Sequence, residues 1–98
     1  MYARVAKWEG GSADAIRESI AQIQQESQSG PPEGVPSNGF TFLADPDAGR
    51  VLAIAMFETE EDLRTGDAKL NEMSPPVSMG NRVSVETYEV AADIRLGG

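Results

Sequence analysis

The sequence predicts an α+β domain of the ferredoxin-like split βαβ type: strands and helices in the order β-α-β-β-α-β, giving a four-stranded antiparallel sheet with two helices on one face. Three observations carry this expectation. Apolar residues recur at helical spacing in two segments, as Ile16, Ile20 and Ile23 and again as Leu63, Leu70 and Met73. Strand-like runs rich in β-branched and aromatic residues stand on either side of each segment. The stretch DPDAG at 45–49 joins two of those runs directly, as a hairpin turn does.

Residues 2–8, YARVAKW, read as the first strand, with Gly10 and Gly11 ending it. Tyr2, Arg4, Ala6 and Trp8 share one face, and Ala3, Val5 and Lys7 the other. Ala3 and Val5 are small and apolar, which suits the face under the helices. Tyr2, Arg4 and Trp8 are then expected on the face toward a partner subunit, where Tyr, Trp and Arg are enriched. The competing reading makes the same trio the wall of a site, and a one-residue bulge would interchange the two.

Ser12 is a good N-cap, and Asp14 sits in the first turn, where the helix dipole favours an acid. A helix is therefore expected over 12–29, stopped by Gly30, Pro31 and Pro32. The loop GPPEGVPSNG at 30–39 reads as a connector, or as a lid whose Asn38 presents an amide to a ligand. In the turn that follows, Pro46 presets φ, Asp45 bonds forward to the backbone and Gly49 supplies positive φ.

Val51 to Phe57 is apolar without alternation, so both faces of that strand need cover. The helices cover one. A second copy, packed sheet against sheet on Leu52, Ile54 and Met56, would cover the other with twofold symmetry. Thr59 caps a second helix whose first turn holds Glu60, Glu61 and Asp62, read as acids favoured by the helix dipole rather than as a catalytic pair. Gly66 faces inward, either for close packing on the sheet or to leave room for a ligand. The last strand is expected over 82–90. Residues 1–91 make one domain and 92–98 a tail.

Composition narrows the chemistry. The net charge is −8 and no Lys/Arg cluster appears, so neither nucleic acid nor an anionic membrane surface is an expected partner. Histidine and cysteine are both absent. That removes Ser-His-Asp chemistry, thiolate nucleophiles, disulfides, and His- or Cys-ligated metal and haem. Asp45 and Asp47 have a trace of calcium-loop spacing but lack the third acidic ligand and the closing Glu, so no metal is expected. No apolar run approaches the roughly 18 residues of a membrane helix. No basic region followed by an apolar stretch opens the chain, which points to the cytoplasm.

FLADPDAGRVLAIAMFETEEDL, with YEV near the end, resembles the small dimeric α/β-barrel proteins of the antibiotic biosynthesis monooxygenase type. The matching parts are the acid-Gly turn at Asp45 to Arg50, the apolar strand Val51 to Phe57, the helix start Glu58 to Asp62 and the closing Tyr88 to Val90. The resemblance implies two ferredoxin-like subunits paired as a dimeric α/β barrel, with a pocket between sheet and helices in each. It also implies binding of a small hydrophobic, aromatic or polyketide-like molecule. Some members oxygenate such molecules with no metal, flavin or other cofactor; others cleave haem. This chain departs from the haem-cleaving pattern because it has no histidine, and it carries Phe57 where many small relatives have Trp. Asn38, Phe57, Gly66 and Asn71 are the candidate substrate-binding residues; no catalytic residue is assigned. The alternative is a non-catalytic dimeric ligand-binding or regulatory domain of the same fold.

Overall fold

The computed structural model describes residues 1–26, 34–72, 80–94 and 96–97. The elements are β1 (Tyr2–Gly10), α1 (Ala13–Glu26), β2 (Gly39–Asp45), a 3-10 turn (Pro46–Ala48), β3 (Arg50–Phe57), α2 (Glu60–Glu72) and β4 (Gly80–Glu89). The sheet order is β2-β3-β1-β4, and every neighbouring pair is antiparallel. This is the ferredoxin-like arrangement the sequence predicts. Residues 27–29 of the expected first helix, and residues 30–33 of the loop that follows, lie outside the described residues.

Local signals explain the boundaries. The Ala15 amide donates to Ser12 Oγ at 3.1 Å and the Ile16 amide to the Ser12 carbonyl at 3.0 Å, so Ser12 caps α1. Thr59 does the same for α2, accepting from the Asp62 amide at 3.0 Å. In the hairpin, Asp45 Oδ1 accepts from the Ala48 amide at 3.3 Å, and Gly49 takes the left-handed region at φ 70°. A Cβ at Gly49 would also lie 2.8 Å from the Gly11 carbonyl oxygen, so the turn needs glycine on both counts.

Strand register fixes which side chains the helices cover. Tyr2, Arg4, Ala6 and Trp8 stand opposite Phe57, Ala55, Ala53 and Val51 of β3. Phe40 and Phe42 of β2 stand opposite Ala55 and Ala53, on the same side. One core cluster holds Val35, Ala55, Phe57 and Leu63, with Tyr2, Phe40 and Leu70 packed on it. A second holds Ile16 and Val51, with Trp8, Ile20, Ile23 and Phe42. The first lies beneath α2 and the second beneath α1, so both helices cover the Tyr2–Trp8 side of β1.

The face assignment expected for Tyr2, Arg4 and Trp8 is therefore corrected: they lie under the helices, not on the open side. The reason lies in their partners. Tyr2 packs on the cluster of Phe57 and Leu63 and Trp8 on that of Ile16 and Val51. Arg4, opposite the small Ala55, finds its ion-pair partner on α2. Ala3, Val5 and Lys7 fall instead on the open side, opposite Met56, Ile54 and Leu52.

The last strand, expected over 82–90, runs from Gly80 to Glu89 and is irregular. Lys7 pairs with Ser84 but Trp8 pairs with Arg82, so Val83 is an extra residue and the ladder bulges there. The bulge turns Arg82 to the helix-facing side beside Trp8 and leaves Val83 51% exposed. Among the described residues, no helix is long and apolar enough to cross a membrane.

Candidate functional site

The polar side chains of the helix-facing side converge at one place. Arg4, only 5% exposed, donates from Nε to Asp67 Oδ1 at 2.7 Å and from Nη2 to Asn71 Oδ1 at 2.9 Å. Arg82 reaches across from β4 and donates from Nη1 to the same Asn71 Oδ1 at 3.0 Å. Asp67 and Asn71 are four residues apart on α2, so one helix face presents both to the sheet. Asn71 accepts from both guanidinium groups through one oxygen, which leaves its amide group as a donor. Two cations, one carboxylate and a donor-rich amide give this corner of a strongly acidic chain a locally positive character.

Beside this group, β1 and β3 carry small residues at one paired position. Ala6 is 2% exposed and Ala53 half-buried, between the two core clusters. Trp8 follows on the same side of β1, packed on Ile16 and Val51. Its Nε1 is enclosed and has no hydrogen-bond partner. Thr87 and Glu89 of β4, paired with Arg4 and Tyr2, are exposed, so the β4 flank of this side is open.

The substrate-binding candidates are scattered. Asn71 belongs to the Arg4–Arg82 group. Gly66 and Phe57 meet beneath α2: a Cβ at Gly66 would lie 2.3 Å from Phe57 Cε1, so the ring takes up the space that glycine provides. Of the two readings of Gly66, close packing is the one realised. Asn38 is exposed just before β2, and its backbone N–H donates to the Met56 carbonyl at 2.8 Å.

Sequence reasoning missed Asp67 as the anchor of Arg4 and did not single out Arg82. A signal for Asp67 exists. An aspartate in the apolar stripe of a sheet-packed helix requires a cation from the sheet, and Arg4 lies on a central strand. Arg82 reaches the group only through the bulge, which the spacing of β4 does not announce. Ser19 was also missed. It is a fully buried residue of α1 and satisfies its own hydroxyl by donating to the Ala15 carbonyl at 2.7 Å.

On the opposite side, Leu52, Ile54, Met56 and Val5 are half-buried and Leu43 is 51% exposed, with no helix over them among the described residues. A hollow of about 380 Å3 lies at the hairpin end of the sheet, lined by Lys7, Leu43, Leu52, Asp45 and Arg50 among others. Arg50 is held there by Asp45 at 3.0 Å and Lys7 by Glu9 at 3.3 Å.

Neither a protein-family model nor a curated protein sequence matches the chain. Solved structures do. A monooxygenase of Streptomyces coelicolor in complex with the ligand nanaomycin D superposes with a TM-score of 0.68 at 18% identity, covering 98% of this chain and 92% of that one. A putative antibiotic biosynthesis monooxygenase of Deinococcus radiodurans gives 0.57 at 14% identity, over 100% of both chains. A MhuD variant with two manganese protoporphyrin IX molecules bound per active site gives 0.56 at 17% identity, over 99% of this chain and 98% of that one. The chain has the ferredoxin-like α+β fold of antibiotic biosynthesis monooxygenase structures.

Proposed function

We propose that this chain is a small-molecule-binding protein of the antibiotic biosynthesis monooxygenase type. Its helix-facing side takes a small aromatic or polyketide-like molecule and oxygenates it without a bound cofactor. The observation that carries this reading is the meeting of Arg4, Asn71 and Arg82 on the side of the sheet that the helices partly cover. In such chemistry the electrons for oxygen come from the substrate's own enolate or phenolate. The protein's part is to orient that anion and limit access of water. Guanidinium groups suit an oxygen that carries negative charge.

The subunit interface belongs on the other side. Leu52, Ile54 and Met56 with Val5 form an uncovered apolar surface on the two central strands. A second copy placed there, sheet against sheet, satisfies the demand that β3 be covered on both faces.

A second reading, a non-catalytic dimeric ligand-binding or regulatory domain, is favoured by the state of Asp67. It is the carboxylate of the polar group, and it is engaged by Arg4 rather than free to act as a base. The test is a thermal-shift screen against hydroxylated aromatics, followed by oxygen consumption with each compound that binds. Binding with turnover supports oxygenation, binding without turnover supports the second reading, and no binding refutes both.

A further inference from the structure

The hollow at the hairpin end of the open face is lined by Leu43 and Leu52 together with Lys7 and Arg50. Lys7 is held by Glu9 and Arg50 by Asp45, so both cations are engaged and the hollow calls for an apolar occupant. The chain carries a matching segment. Beyond β4, Ile94 is 78% exposed and Leu96 89%, the most exposed large hydrophobic side chains among the described residues. They stand two residues apart, so an extended tail presents both on one side. Distance decides whose hollow they fill. The Val90 amide donates to the Met1 carbonyl at 2.8 Å, which fixes the start of the tail at the end of β1 far from the hairpin. Lys7 and Leu52 are paired, so Leu52 lies about 20 Å along the strands from Val90 and two strand spacings, about 10 Å, across. Four residues of chain span at most about 14 Å and six about 21 Å. Ile94 therefore falls short of the hollow of its own subunit, and Leu96 reaches it only at full stretch.

We propose that the tail beyond β4 crosses to a second copy of the chain and seats Ile94 and Leu96 in the hollow beside the partner's Leu43 and the partner's Leu52, each copy doing so to the other. The inference rests on the reading of the open face as the subunit interface, and it fixes how the two sheets are turned. A twofold axis running across the strands lays the Met1 end of one sheet over the hairpin end of the other. Val90 then starts two strand spacings and one sheet-to-sheet gap from the partner's Leu52, about 14 Å in all, within the span of four extended residues. A twofold axis along the strands brings like ends together and leaves the hollow beyond the reach of Ile94.

The chain contains no cysteine, so Ala92→Cys, at an exposed tail position, takes a single nitroxide label. Mixed dimers are assembled from labelled chains and 15N-enriched unmodified chains, so that the 15N spectrum reports contacts between chains alone. The backbone amide signals of Leu43 and Leu52 are expected to broaden. Ile94→Ser with Leu96→Ser in the labelled chain is expected to remove that broadening. In unlabelled protein the same pair is expected to raise the dimer dissociation constant roughly tenfold or more, with the far-UV circular dichroism unchanged. Dimers whose Leu43 and Leu52 signals stay sharp, or broaden equally with the serines in place, overturn the inference and leave the sheet-to-sheet interface standing. An unchanged dissociation constant in the serine variant does the same. A wild-type chain that sediments as a monomer overturns the interface and this inference with it.

Discussion

Arg4 Nε and Asp67 Oδ1 lie 2.7 Å apart, joining the centre of the sheet to the inner face of α2 with the guanidinium side chain only 6% exposed. Removing one partner of such a pair strands a buried charge, which costs more than the intact pair contributes. Asp67→Ala is predicted to destabilise the fold by about 2 kcal/mol, less than for a fully enclosed pair because the Asp67 side chain is a third exposed. Asp67→Asn keeps an acceptor oxygen and is predicted to cost about half as much. Urea denaturation midpoints measure both; equal midpoints for wild type and Asp67→Ala would refute the assignment.

Gly66 and Phe57 give a prediction opposite to helix propensity. Alanine in place of an exposed mid-helix glycine gains roughly 1 kcal/mol. Here the added Cβ would sit 2.3 Å from the ring of a fully buried Phe57. Overpacking of that kind costs roughly 1–3 kcal/mol, so Gly66→Ala is predicted to lower the Tm. Combining it with Phe57→Leu, which vacates the contact, should recover part of the loss. A Gly66→Ala protein more stable than wild type contradicts this packing.

The hairpin carries a pH signature. The Arg50 guanidinium, and after it the Ala48 amide, hold the Asp45 carboxyl below its ordinary value of 3.8. A carboxyl whose folded pKa is depressed contributes fully above its unfolded pKa and loses that contribution as pH falls through the folded value. The turn should therefore stay intact at pH 5 and loosen only below the ordinary aspartate range. The Ala48 amide shift should titrate with a midpoint below 3.8, and Arg50→Gln should move that midpoint upward. A wild-type midpoint at or above the ordinary value would contradict the hairpin geometry.

The open face predicts assembly. Sedimentation at micromolar concentration should give a dimer, and Ile54→Asp, a charge amid Val5, Leu52 and Met56, should give a folded monomer with unchanged far-UV circular dichroism. A monomeric wild type would refute sheet-to-sheet pairing.

Much of the fold is legible in the chain because its signals are local. Ser12 and Thr59 act as caps, Asp45, Pro46 and Gly49 build the turn, and isoleucines at helical spacing place α1. The facing of β1 is not local. Alternation separates Tyr2, Arg4 and Trp8 from Ala3 and Val5 without saying which set the helices cover. The answer depends on the clusters that receive Tyr2 and Trp8, on Ala55 across the ladder from Arg4 and on Asp67 more than sixty residues away. The site suffered most from this, since its members come from β1, α2 and a bulged β4. Asn71 was named from residue type alone; its partners were not foreseeable without the register.

The central claim is that the ligand enters on the helix-facing side of the sheet, while the other face meets a partner. A two-dimensional NMR titration with 2-hydroxy-1,4-naphthoquinone, read on side-chain signals, tests it most directly. The account predicts saturable shifts of the Arg4 and Arg82 guanidinium Nε–H groups and the Asn71 amide, with the Leu43 and Leu52 methyls unmoved. Shifts confined to Leu43 and Leu52, at the hollow on the open face, would contradict it.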